Sequence, residues 1–153
     1  MGKKVKVVFD TNVWLSLFMK RILSEEFSIA LDSQMTVYIT EAILKEISRV
    51  LTYTKITNVL ADSGINQKEI LRSIMKNSTP IIPKLELHII EDDPEDNKIL
   101  DCALQAGADF IVSGDKHLLS LGKVKKTRIL VHAQLWSSLA KKIYDIIAIC
   151  QYG

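Results

Sequence analysis

Four acidic residues, Asp10, Glu46, Asp96 and Asp115, lie far apart in the sequence, yet each stands where an isolated carboxylate is costly. Asp10 ends the apolar run Val5-Lys6-Val7-Val8-Phe9. Asp115 follows a second such run, Phe110-Ile111-Val112, across Ser113-Gly114. Glu46 interrupts an apolar helical stripe, and Asp96 closes the acidic turn Glu91-Asp92-Asp93-Pro94-Glu95 as a helix begins. Carboxylates gathered at the ends of buried strands repel one another unless a cation holds them. Ligands made only of oxygen suit Mg²⁺ or Mn²⁺. The pattern implies a metal-dependent enzyme acting on phosphates.

The elements that would position these acids can be read from periodicity. Residues 5–9 are β-branched and aromatic, as in a buried strand. Thr11 or Asn12 is expected to cap a helix to about Lys20, and Ser24 another to about Asp32. Val37-Tyr38-Ile39 reads as a short strand, and Thr40 as the cap of a helix to Leu51. In that helix Ala42, Ile43, Ile47, Val50 and Leu51 form the apolar face, and Glu46 falls on it. Helical segments are expected from Thr54 to Asp62 and from Asn66 to Asn77. Pro80-Ile81-Ile82-Pro83 reads as an edge or loop, and Leu87-His88-Ile89-Ile90 as a short strand. A helix from Pro94 to Gly107 carries Asp96 in line with Leu100, Ala103 and Gly107. Asp101 lies five residues beyond Asp96, about 140° around the axis, so it is expected to support the site from behind or to face solvent, not to be a direct ligand. Phe110–Val112, a short helix from Lys116, a strand at Arg128–Val131 and helices over 133–149 complete the chain. Alternating strands and helices imply a three-layer α/β/α fold with a central, mostly parallel sheet. In such sheets sites form outside the carboxyl ends of the strands, where Asp10 and Asp115 stand.

Composition sets the outer bounds. The length of 153 residues fits one domain, 1–153, and the 48% hydrophobic fraction can fill a core. The net charge of +2 neither demands nor excludes nucleic acid. The two cysteines, Cys102 and Cys150, show no metal-binding spacing and read as buried thiols of a reducing compartment. The first apolar run stops at Asp10, too early for a signal peptide, and no stretch could span a bilayer. A cytoplasmic, non-membrane protein is expected. His88, His117 and His132 have no paired spacing, and Trp14 and Trp136 read as core or interface.

The segments holding the acids resemble the PIN-domain nucleases, particularly the stand-alone toxin members of toxin–antitoxin pairs. The matching stretches are Val7-Val8-Phe9-Asp10-Thr11-Asn12-Val13 and Leu44-Lys45-Glu46-Ile47. They continue with Asp93-Pro94-Glu95-Asp96-Asn97-Lys98-Ile99-Leu100-Asp101-Cys102-Ala103 and Ala108-Asp109-Phe110-Ile111-Val112-Ser113-Gly114-Asp115. The resemblance implies a Mg²⁺- or Mn²⁺-dependent endoribonuclease cutting single-stranded RNA, often dimeric and held in check by a small antitoxin protein. It implies Asp10, Glu46, Asp96 and Asp115 as the acidic site, with Asn12 and Ser113 as supporting polar residues. Ser113 stands where the family often has Thr, and the hydroxyl is kept.

In the expected mechanism Asp10, Asp96 and Asp115 bind metal, and Glu46 binds it or orients its water. Lys116, Lys123, Lys125 and Lys126 are the candidate contacts for substrate phosphates, although a run such as Lys123–Arg128 more often forms a solvated turn. The apolar residues between 12 and 33 exceed what two short helices use against a sheet, which suggests a homodimer interface. Two readings compete. A haloacid-dehalogenase-like phosphatase would need an acid two residues after Asp10, where Asn12 stands. A catalytically silent RNA- or protein-binding module would have no use for four retained acids.

Overall fold

The computed structural model describes residues 4–19, 35–82 and 94–131. Its first strand, β1 (Val5–Phe9), buries Val7, Val8 and Phe9 in succession. Consecutive burial means that both faces of the strand are covered, which explains an apolar run where alternation would otherwise be expected. The neighbouring strands are β2 (Met35–Ile39), β3 (Thr79–Pro80), β4 (Phe110–Val112), β5 (Lys123–Val124) and β6 (Thr127–Leu130). They form one sheet in the order β3-β2-β1-β4-β6-β5. All neighbours run parallel except β5 and β6, which form an antiparallel hairpin at one edge.

Each helix starts or stops where its sequence signal lies. Helix α1 (Thr11–Met19) follows β1 directly, and the Asp10 carbonyl accepts from the Val13 and Trp14 amides. Asp10 therefore takes the capping place expected of Thr11 or Asn12. The Thr40 hydroxyl accepts from the Ile43 amide to start α2 (Glu41–Val50). Ile43 and Ile47 are fully buried one turn apart, with Leu51 just after them. Helix α3 (Thr54–Ser63) ends at Gly64, whose φ of 74° suits glycine better than any other residue. Asn66 caps α4 (Gln67–Lys76) through the Glu69 amide. Helix α5 (Pro94–Ala106) lies over β1, β2 and β4, and α2 packs against α1, α4 and α5. Helix α6 (Lys116–Leu121) packs on β6. The result is the expected three-layer α/β/α arrangement around a mostly parallel sheet.

The core is continuous through Val8, Trp14, Ile43, Leu100, Ile111 and Leu118, all fully enclosed. Burying each such side chain contributes about 1.5–3 kcal/mol. Trp14 packs edge-on against Phe9, with ring centroids 5.1 Å apart at 69°. Its indole N–H meets no acceptor among the described residues, an uncommon cost for a buried donor. Trp14 and Leu17, counted among the apolar surplus of residues 12–33, are thus absorbed by the core of this chain.

Two differences from sequence expectation concern strands. β2 begins two residues earlier than Val37, and the Lys123–Arg128 run forms a hairpin, not a plain turn. The expected helix at 24–32, the strand at 87–90, the C-terminal helices, Cys150, Trp136, His88 and His132 lie outside the described residues. Among the described residues no helix is long and apolar enough to cross a membrane.

Candidate active site

Parallel strands deliver their carboxyl ends to one edge of the sheet, and three of the four acids meet there. The Asp10 amide donates to the Val112 carbonyl at 3.0 Å, which sets Asp10 beside the end of β4. The Ser113 amide donates to the Leu130 carbonyl at 2.9 Å, so this edge continues to the end of β6. Glu46 reaches the same place from α2, because α2 packs on α1.

Side chains join these acids into one hydrogen-bonded path. The Thr11 hydroxyl donates to Glu46 Oε2 at 3.1 Å, and the Thr11 amide donates to Asp10 Oδ1 at 2.7 Å. Ser113 Oγ donates to Asp10 Oδ2 at 2.7 Å and accepts from the Asp115 amide at 2.9 Å. Asp115 Oδ1 in turn accepts from the His117 and Leu118 amides, at 2.8 and 3.1 Å. The path thus runs from Glu46 through Thr11, Asp10 and Ser113 to Asp115, across 103 residues of sequence between Asp10 and Ser113. Thr11 is 3% exposed and Ser113 1%, so both hydroxyls act in a setting largely shielded from water. Hydrogen bonds to an ionised carboxylate are the stronger kind, and both oxygens of Asp10 receive one.

Asp115 has two parts to play. One oxygen caps α6, while Oδ2 takes no hydrogen bond from the described residues. Asp96 sits in the first turn of α5, the helix that packs on both β1 and α2; its side chain lies outside the described residues. Among the described residues no three acidic, His or Cys side chains form a closed cation site. The donor chemistry nevertheless fits a hard cation: Asp10, Glu46 and Asp115 offer only carboxylate oxygens at one edge, and Asp115 Oδ2 is unengaged by the described residues.

The supporting residues divide. Asn12 is exposed on the first turn of α1, and Lys116 is exposed directly after Asp115. Asp101 is half-buried on α5. Beside it, burial and then the Asp101 charge push the Cys102 thiol up to about 12. The structure does not bring Lys123, Lys125 and Lys126 to the acidic edge. Lys123 is level with Arg128 and hence with Phe110, at the start of β4. Lys126 lies over the C-terminal end of α5, its Nζ 3.7 Å from where a Cβ at Gly107 would stand. From there to the end of β6 is four residue steps, about 13 Å at the rise of a strand.

Sequence reasoning passed over Thr11, which it treated as a helix cap. A β-branched hydroxyl directly after a strand-end Asp was the available signal, but its bond to Glu46 depends on how α1 meets α2. Asn97, 6% exposed beside Asp96, is a second buried polar residue at this end of α5. No signal separated it from the surrounding acids.

A family model described as PIN domain matches residues 6–117 of the chain. The match spans β1 through the start of α6 and so takes in all four acids. Comparison with characterised proteins gives no match.

Proposed function

Because the chain belongs to the PIN-domain family, a family of nucleases, we propose that it is a Mg²⁺- or Mn²⁺-dependent endoribonuclease that hydrolyses single-stranded RNA. The observation that carries this reading is the hydrogen-bonded path from Glu46 through Thr11, Asp10 and Ser113 to Asp115. Such a path orients carboxylates that would otherwise repel one another. Asp10, Asp96 and Asp115 would hold the cation, with Glu46 beside them. When bound, the cation would polarise the scissile phosphate and lower the pKa of an attacking water.

The remaining work falls to the chain itself. Ser113 and Thr11 hold Asp10 in one orientation and satisfy both of its oxygens. Fixing the ligands in advance lowers the cost of gathering like charges. Asp115 Oδ1 is held by the first amides of α6, which leaves Oδ2 for a ligand. Lys116 is an exposed cation beside Asp115, suited to a substrate phosphate. Asn12 and Asp101 are assigned supporting roles.

We further propose that the protein acts in the cytoplasm as the toxin of a toxin–antitoxin pair, with a small protein as its inhibitor, and that it is a homodimer. The experiment is cleavage of a labelled single-stranded RNA with Mn²⁺, with Mg²⁺ and with EDTA, alongside induced expression in a bacterial host. Metal-dependent internal cleavage and growth arrest are expected. Cleavage that persists in EDTA would overturn the metal requirement, and unimpaired growth would overturn the toxin role alone.

A further inference from the structure

The β5–β6 hairpin concentrates cations that form no ion pair among the described residues. Residues 123–128 read Lys-Val-Lys-Lys-Thr-Arg, with no acid among them. Lys123, Lys125, Lys126 and Arg128 are all exposed, whereas Val124 and Thr127 turn inward. Lys45 and Glu41 form an ion pair on α2, at 3.2 Å. Asp109, just before β4, is the acid beside this hairpin: its carbonyl accepts from the Arg128 amide at 3.0 Å, and its carboxylate accepts from the Lys6 amide at 2.9 Å.

Two features work against the hairpin's own stability. Lys123 and Arg128 are register partners on antiparallel strands, and like charges directly opposite each other destabilise a sheet. Lys125 adopts φ 53°, a turn conformation that Gly or Asn takes more easily. Lysine on an edge strand can serve to block unwanted pairing. That role would account for Lys123 on β5, but not for Arg128 on β6 or the lysines of the turn. Lys126 has a local role as well, above the C-terminal end of α5. Among the described residues Lys123, Lys125 and Arg128 enter no ion pair, and a single Asp109 carboxylate cannot balance all three.

We propose that this hairpin is a docking surface for the phosphate backbone of the single-stranded RNA, at a distance from the bond that is cut. The proposal rests on the nuclease reading above. The acidic edge repels a polyanion, so attraction must come from elsewhere on the surface. The hairpin supplies it along the flank of β6, whose far end reaches Ser113 through the bond from the Ser113 amide to the Leu130 carbonyl. A strand laid from the hairpin toward that end would place successive phosphates on Lys125, Lys123 and Arg128 before reaching Lys116. Backbone contacts of this kind add affinity without sequence preference.

The test uses the full chain, a fluorescein-labelled 20-nucleotide oligouridylate, and polyglutamate of matched length as competitor. In Lys123→Glu/Lys125→Glu the salt dependence of log Kd should flatten by about 1.4, from two lost contacts on a single strand. The KM for RNA cleavage should rise about tenfold at low salt with kcat unchanged, as expected when uniform binding is removed. Lys123→Glu places a carboxylate opposite Arg128, so the melting temperature should hold or rise while binding falls. A purely structural hairpin would move both the same way. Arg128→Ala, tested separately, should also raise KM. Unchanged KM and salt slope in a protein that still cleaves RNA would overturn the docking surface and leave the nuclease reading intact. Hairpin-dependent binding of polyglutamate tighter than that of the oligouridylate would overturn it in favour of an acidic protein partner. A wild-type chain that neither binds nor cuts the oligouridylate would overturn the nuclease reading, and this proposal with it.

Discussion

Replacing Ser113 by Ala tests the joint between the two strand-end acids. The side chain is 1% exposed and makes two bonds, one donated to Asp10 Oδ2 at 2.7 Å and one accepted from the Asp115 amide at 2.9 Å. A hydrogen bond to an ionised group is worth about 1.5–3 kcal/mol and a neutral one about 1 kcal/mol. Alanine fills nearly the same space, so little cavity cost is added. The expected loss is about 2–4 kcal/mol. For a chain of this size each kcal/mol lowers the melting temperature by about 2–4 °C, so a fall of roughly 5–15 °C is expected. Residues that orient metal ligands typically cost about 10–100-fold in metal affinity or activity when removed. Mn²⁺-dependent cleavage should therefore need more metal in Ser113→Ala. Ser113→Thr, which keeps the hydroxyl, should hold its metal requirement near that of the wild type. Differential scanning fluorimetry and an Mn²⁺ titration of cleavage give both readouts. A melting temperature and metal requirement unchanged in Ser113→Ala would refute the claim that this hydroxyl organises the site. Equal loss in Ser113→Ala and Ser113→Thr would refute it differently, by showing that packing and not hydrogen bonding matters there.

Thr11→Val removes the donor to Glu46 Oε2 while keeping the Thr11 amide on Asp10, so it should cost about 1–2 kcal/mol, and Thr11→Ser should restore most of the stability and activity lost. Comparison of the two variants by thermal melting and cleavage assay checks this. The Cys102 thiol ionises at an ordinary value of 9.0 when unfolded but is pushed up to about 12 in the folded chain, chiefly by burial. The folded state thus holds that proton more tightly, so its contribution to stability is full below pH 9 and declines as pH rises toward 12. Denaturant titrations from pH 8 to 11 should show the decline, and peptide mapping after iodoacetamide treatment at pH 8 should find Cys102 unmodified. Light scattering across a dilution series should give a dimer mass; a monomer at high micromolar concentration would return residues 12–33 to the core.

Much of the fold was legible because its signals are local. Burial on both faces makes Val7–Phe9 of β1 and the whole of β4 unbroken apolar runs, and Thr40 and Asn66 start their helices through their own side chains. Gly64 and Gly107, both at positive φ, mark the helix ends expected of them. The site was legible to the extent that strand ends and helix faces imply position. Asp10 and Asp115 followed from topology, and Glu46 from the spacing of Ile43 and Ile47. What resisted reading was non-local. The Thr11–Glu46 bond exists only because two helices pack together, and no periodicity encodes it. The β5–β6 hairpin is too short to show alternation and turns without Gly or Asn. Lys123, Lys125 and Lys126 are candidate phosphate contacts by charge alone, and charge does not encode position. Helix α6 carries the chain back along the sheet, and β6 then runs parallel to β4 from the opposite edge.

The most direct test of the acidic centre is RNA cleavage by a purified Asp10→Asn protein at saturating Mn²⁺. Asn can accept the Thr11 amide through its carbonyl and donate to Ser113 Oγ through its amide, so the fold should persist. Removing one of several neighbouring negative charges should leave the melting temperature without metal equal or higher. The account predicts a folded protein whose metal-dependent cleavage is abolished. Undiminished cleavage by that protein would contradict it.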